Sequence, residues 1–244
     1  MLYSVGSTAC EEMHMEGFEG VVRCLYHGFL CIVERPEYGK GKPYNDYGLG
    51  FYCTETPDMA KEWAVARNRN GFANRYELDC TGLDILDLSQ SCGILGWLAV
   101  LLENRTFDAP SALAHEAREY LKRVFMPDYH GRDCIVGYRA DDSYFSFAQD
   151  FINGTISYRQ LGRAMRLGKL GEQFVLKSEQ AFERIEFKGY EIVRAEEWYG
   201  RKMARDRAAR RAYFDREREH RMKGDIYITQ ILDEEMTPDD PRLR

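Results

Sequence analysis

Three polar side chains stand at the ends of apolar runs, where each is able to do chemistry. His27 closes Leu25-Tyr26-His27-Gly28, Tyr52 lies between Phe51 and Cys53 in YGLGFYCT (47–54), and Gln173 falls in Glu172-Gln173-Phe174. A neutral imidazole both donates and accepts a hydrogen bond, and a glutamine amide orients hydroxyls without charge. A tyrosine ring offers a flat face on which a planar group can lie. Taken singly, each also has a structural reading: a hydrogen-bonded histidine at a strand end, a core tyrosine, a silent glutamine. Other groupings read first as structure. Asp133, Asp141 and Asp142 flank an aromatic helix, where the pair Asp141-Asp142 suits capping more than an acceptor site. Cys24, His27 and Cys31, on a strand and the loop after it, would not converge on a metal. No metal site is expected.

The elements that must position these residues follow from periodicity. VVRCLYHGFLCIV (21–33) is branched and apolar, a buried strand ending near His27 and Gly28, and ERPEYGKGKPYND (34–46) is a polar loop. Thr56-Pro57-Asp58 supplies an N-cap, a proline in the first turn and an acidic residue, so a helix starts at Pro57, with Gly71 expected to stop it. FANRYELDC, LDILDL, DCIVGY, EQFVLKS and RIEFKGYEIV read as strands. GILGWLAVLLENR, PSALAHEAREYLKRVF, DDSYFSFAQDFINGT and SYRQLGRAMRLG read as helices. From Ala195 to Lys223 the chain is a charged helix, followed by a short apolar element in DIYITQILDEEM. There is no internal repeat, and the pattern predicts one α+β domain with a helical extension.

With 244 residues, 44% of them hydrophobic, the chain can bury a core without staples. A net charge of −6 argues against a general nucleic-acid or membrane-surface binder. The charge is unevenly spread. Residues 194–223 hold eleven Lys/Arg against six Asp/Glu, or +5, so the remainder carries −11. A solvated helix with opposite charges three and four residues apart explains that stretch; a surface for nucleic acid or an acidic protein is the alternative. Seven scattered cysteines without a C-x-x-C pair predict reduced thiols in a cytoplasmic protein. The start of the chain is acidic where a secretory signal needs a basic end, and GILGWLAVLL is about half a bilayer span, so no membrane is expected.

In order, LYHG, a loop of about twenty residues, DYGLGFYCTETPDMAKEWA and a distant EQFVLKSEQAFERIEF resemble the His-Tyr-Glu class of ADP-ribosyltransferases, which includes the poly(ADP-ribose) polymerase catalytic domains and diphtheria toxin. The resemblance is closer to a bacterial family of uncharacterised domains of that kind, and runs from about Arg23 to Arg194. It implies an ADP-ribosyltransferase-like split β-sandwich with inserted helices over 23–194, an N-terminal extension over 1–22, and a charged helical extension and tail over 195–244. It also implies NAD as co-substrate. His27 would bond the adenosine ribose, the Gly28 backbone would hold the nicotinamide carboxamide, and Tyr52 and Trp63 would sandwich the nicotinamide. Gln173 takes the place of the family's glutamate at the nicotinamide ribose, and Arg35 would face the adenosine or pyrophosphate side. Glu172 should point to the other face of its strand.

A neutral Gln173 disfavours polymer elongation, so the implied activity is transfer of one ADP-ribose to a macromolecular acceptor, protein or nucleic acid. A bacterial toxin held by a small antitoxin protein fits that family. The alternative is a catalytically inactive module of the same fold that binds NAD or a protein. Phosphotransfer to NAD from 2′-phosphorylated RNA, with His130 and Arg132, is a further alternative.

Overall fold

The computed structural model describes residues 22–109, 111–140, 142–167 and 171–243, without the side chains of residues 142, 143 and 217. The expected N-terminal extension and the capping role of Asp141 and Asp142 lie outside what is described.

Among the described residues the strands build two sheets, the first partly exposed and the second buried along most of its length. The first is antiparallel, in the order β1 (Val22–Phe29), β3 (Gly71–Asp79), β7 (Ile185–Val193). The second runs β2 (Phe51–Cys53), β6 (Glu172–Leu176), β5 (Cys134–Tyr138), β4 (Ile85–Asp87), with only the β4–β5 pair parallel. Among the described residues a single bridge joins the sheets: Tyr26 and Thr54 exchange backbone hydrogen bonds of 2.8 and 2.9 Å.

Three apolar cores follow from which face each strand buries. Between the sheets, Leu25 and Leu78 of the first meet Cys53, Phe174, Leu176 and Cys134 of the second. On the far face of the second sheet lie α3 (Gly93–Asn104), α4 (Ala112–Val124), α5 (Asp142–Ile152) and α6 (Tyr158–Ala164). Helix α3 is apolar all round and accordingly buried from Leu95 to Leu102. Two short helices, α2 (Leu88–Ser91) and α7 (Glu179–Glu183), complete the connections of that sheet. The tail joins the same core through α9 (Ile228–Asp233), where Ile228 and Ile231 are fully buried, and through Met236.

On the outer face of the first sheet, α1 (Pro57–Ala64) and α8 (Ala195–Ala212) pack through Ala60, Ala64, Ala73, Val193 and Trp198. Helix α1 rests directly on two glycines. A Cβ at Gly28 would stand 1.8 Å from the Ala60 carbonyl oxygen, and one at Gly71 would stand 1.9 Å from that of Ala64. The sequence expectation for Gly71 therefore changes: the helix ends at Ala64, and Gly71 opens β3. What stops the helix is Val65, in extended backbone, followed by a tight turn in which Ala66 and Arg69 bond each other around Asn68 at φ 58°. Pro57 is in the first turn as expected, while the Thr56 side chain makes no cap bond; its carbonyl accepts from Met59 and Ala60.

Among the described residues no helix is long and apolar enough to cross a membrane. The architecture is a mixed α and β one, with helices segregated to the outer faces of two joined sheets.

Candidate functional site

Strand β2 sets the site. Phe51 and Cys53 turn toward the inter-sheet core, so Tyr52 turns the other way, onto the face it shares with Val175 and Gln173 of β6. Its hydroxyl donates to the Gly48 carbonyl at 2.5 Å and accepts from the Tyr47 N–H at 3.0 Å. With burial pushing its pKa well up, Tyr52 stays a neutral phenol with a fixed ring. The glycines of YGLG shape the turn before β2. Gly48 takes φ 72° and leaves room for the Asn104 side chain, and Gly50 lies where a Cβ would be 2.7 Å from the Leu176 carbonyl. Lys177 holds the same turn by donating to the Tyr47 and Leu49 carbonyls at 2.5 and 2.6 Å, and burial lowers its ammonium to about 8.

A cavity of about 580 Å³ opens in front of Tyr52, and it brings together residues far apart in sequence. Tyr52 from β2, Trp63 from α1 and Gln173 from β6 all line it, as does Asp46 from the loop before β2. Gln173 is buried, and its Nε2 donates to Asp46 Oδ2 at 2.7 Å. A carboxylate accepts only, so this bond fixes which way the amide points: Oε1 is left as the acceptor for a hydroxyl. Asp46 is buried as well. Its carboxylate also accepts from Arg105 at 2.9 Å and from the Ala140 N–H at 2.9 Å. Burial raises its carboxyl above the ordinary aspartate range, against the opposing pull of the Ala140 N–H, Arg105, Gln173 and Arg139. The charge that Gln173 lacks therefore sits one hydrogen bond behind it.

Trp63 presents an indole whose buried Nε1–H has no acceptor among the described residues. The Arg139 guanidinium lies 5.0 Å from its ring centre, a planar cation on an aromatic face. The remaining wall comes from α8, through Lys202, Met203, Arg205, Asp206 and Arg210. Five cations (Arg105, Arg139, Lys202, Arg205, Arg210) face two anions (Asp46, Asp206) in the lining, while Arg205 also pairs with Glu62 at 2.7 Å. The cavity suits an anionic ligand with a planar end.

His27 takes a supporting place. Its Nδ1 is 2.7 Å from the Tyr52 carbonyl, which can only accept, so Nδ1 carries the hydrogen and Nε2 of the neutral ring keeps its lone pair. Its ring lies 4.5 Å from that of Phe51, on the other side of β2 from the cavity lining. Burial, against the Tyr52 hydrogen bond, depresses its pKa. Gly28 faces the split between the sheets. Because Tyr26 pairs with Thr54, the antiparallel course sets Gly28 opposite Tyr52, and no ladder joins β1 to β2 there among the described residues. By strand alternation its N–H and C=O point across that gap.

Other candidates lie apart. Arg35 is exposed in a separate hollow with Tyr38 and Phe182. His130 packs at a tilt against Tyr129 and Arg132 pairs with Asp84, both at another depression. Asp133 braces a loop by accepting from Ser178 and from the Asp84 N–H. Glu172 is exposed and accepts from Ser89. Cys24 donates to the Tyr26 hydroxyl, and no three metal-ligating side chains gather among the described residues.

Sequence reasoning missed Asp46, Arg105 and Arg139, and it read the α8 stretch first as a solvated helix. Asp46 carries no local signal, since all three of its donors come from later elements. The helix had one signal, its excess of arginine. Residues 24–187 match a family described as Protein of unknown function (DUF3990). No curated protein and no solved structure matches the chain.

Proposed function

The chain belongs to the DUF3990 family, and from its cavity we propose that it is an NAD-dependent mono-ADP-ribosyltransferase acting on a macromolecule. The observation that carries this reading is the convergence of Tyr52, Trp63 and Gln173, from three elements, on one cation-rich cavity. The nicotinamide of NAD is itself a planar cation, which aromatic faces attract as Trp63 attracts Arg139. His27 and Gly28 stand outside the cavity lining, where His27 braces the Tyr52 backbone and Gly28 seats helix α1. The surrounding arginines suit the pyrophosphate.

The chemistry has a defined barrier. The bond from the ribose anomeric carbon to nicotinamide breaks, its electron pair goes to the ring nitrogen, and an oxocarbenium-like centre forms before the acceptor attacks and loses its proton. Gln173 Oε1 accepts from the 2′-hydroxyl of that ribose, and the Asp46 carboxylate behind it adds a fixed negative charge in a poorly solvated site. The pair Gln173–Asp46 thus does the work that a single glutamate does in the type pattern.

NAD should raise the melting temperature, with stabilisation of about 2.7 kcal/mol at a hundredfold excess over its dissociation constant. Labelled NAD should leave its ADP-ribose on a macromolecule of a cell lysate. No melting shift and no transferred label would refute the reading. Neutral Gln173 favours a second reading, an NAD-binding module without turnover, which stabilisation without release of nicotinamide would establish.

A further inference from the structure

Helix α8 has two charged faces, and the cavity uses only one of them. On the outer face lies a groove of about 490 Å³ floored by Ala204, Ala208 and Ala212 and lined by Arg207, Arg211 and Arg216. Ala204, Ala208 and Ala212, and likewise Arg207 and Arg211, recur at four-residue spacing, so they form rows along the helix with the two arginines about 6 Å apart along its axis; Arg216 follows in the π-helical turn Tyr213–Arg218 that continues α8. The arginines elsewhere on the helix are paired, Arg201 with Glu197, Arg205 with Glu62 and Arg210 with Asp206. No carboxylate among the described residues pairs with Arg207, Arg211 or Arg216, although Asp215 lines the same groove. Beyond the groove Phe214 is 48% exposed, with the Arg218 guanidinium 5.3 Å from its ring centre. Arg210 on the cavity wall is the sequence neighbour of Arg211 on the groove, so the cationic track is continuous from one to the other.

A dinucleotide held in the cavity does not reach the outer face of the helix, so these charges serve something larger. We infer that α8 is the docking ridge for a single-stranded nucleic acid, whose phosphates lie along Arg207, Arg211 and Arg216 and which brings its acceptor base to the cavity. An acidic protein would meet the −11 carried outside residues 194–223 over a broad front. A single strand follows a narrow strip, and at physiological salt only charges within about 8 Å matter to it. The exposed Phe214 adds a stacking platform, the usual companion of a cationic groove in single-strand binding. The inference rests on the NAD reading for its chemistry: a nucleophilic atom of the base bonds to the anomeric carbon, nicotinamide departs with the electron pair of its bond, and the base's proton goes to solvent.

Fluorescence anisotropy with a labelled, mixed-sequence single-stranded oligonucleotide over a salt series tests the ridge directly. Wild type should bind, with log affinity falling linearly with log salt. The triple variant Arg207→Ala, Arg211→Ala, Arg216→Ala should lose at least tenfold in affinity and about 2 from the magnitude of the slope, at roughly 0.7 per phosphate contact. The matching triple Lys variant should keep the slope, which separates charge from folding, and melting with NAD should be the same in all three proteins. With labelled NAD, the label should enter the oligonucleotide. If NAD stabilises the protein yet wild type binds no oligonucleotide, or the triple Ala variant keeps wild-type affinity and slope, the ridge is refuted and the NAD reading stands. Label that goes only to protein also refutes it. If the oligonucleotide binds with the expected slope change while NAD neither stabilises nor labels, the NAD reading fails and the ridge alone remains.

Discussion

Among the residues, the bond between Gln173 and Asp46 has the most consequence. Gln173→Glu would set a second carboxyl 2.7 Å from Asp46 in a buried site, where the two cannot both ionise and one must take up a proton, so the variant should be less stable by about 2 kcal/mol and weaker in NAD stabilisation. Adding Asp46→Asn should recover part of both, and a double-mutant cycle on melting free energies measures that coupling. As pH falls, protonating Asp46 removes the charge that orients the amide. Transfer should therefore decline on the acid side above the pH where ordinary aspartates titrate, since burial raises this one, and Asp46→Asn should abolish that limb of the rate profile. His27 gives a separate, structural dependence. Its folded pKa lies below the unfolded value of 6.5, so below that pH the unfolded chain binds more protons and stability is lost as pH drops; above it the contribution is flat. Melting of His27→Gln between about pH 5 and 8 should lack that slope. Tyr52, Trp63 and Gln173 were legible because each sits in a contiguous motif. Asp46 was not, because its donors lie 59, 94 and 127 residues away and only folding brings them to it.

At the scale of elements, α1 governs the aromatic side of the cavity. Gly28→Ala would drive a methyl into the Ala60 carbonyl, which cannot yield without moving the helix, at a cost of about 3 kcal/mol. Because Trp63 rides on that helix, NAD stabilisation should fall more than it does for a core substitution of equal cost elsewhere, such as Leu98→Ala in α3. Comparing the two variants by melting with and without NAD checks the point. Strand positions were largely legible, since β1, β4, β5, β6 and β7 fall within the runs marked by their branched residues and β3 exceeds its run only by Gly71. The end of α1 was not legible from Gly71. A glycine after an apolar run reads equally as a helix stop and as a place where two backbones meet, and periodicity does not distinguish them.

Over the whole molecule, the C-terminal part completes both the helical core and the cavity wall. Ile228, Ile231 and Met236 are buried in the helical core, and the hydroxyls of Tyr120 and Tyr158 donate to the Met236 and Leu243 carbonyls at 3.0 and 2.6 Å. Losing those side chains costs roughly 6 kcal/mol, comparable to the whole stability of many domains. Removing residues 224–244 should therefore abolish the cooperative melting transition, seen by circular dichroism. That unity was only half visible in the sequence, where the charged helix looked like an appendage because its few packing residues, Ala195, Trp198 and Ala209, are diluted among arginines. The same wall has a consequence in time. A ribosome delivers Tyr52, Trp63 and Gln173 before it delivers Lys202 to Arg210, and the core that holds those elements waits for Met236. A growing chain thus carries an incomplete pocket until residues 202–236 have emerged, long after the aromatic side of the cavity is already made.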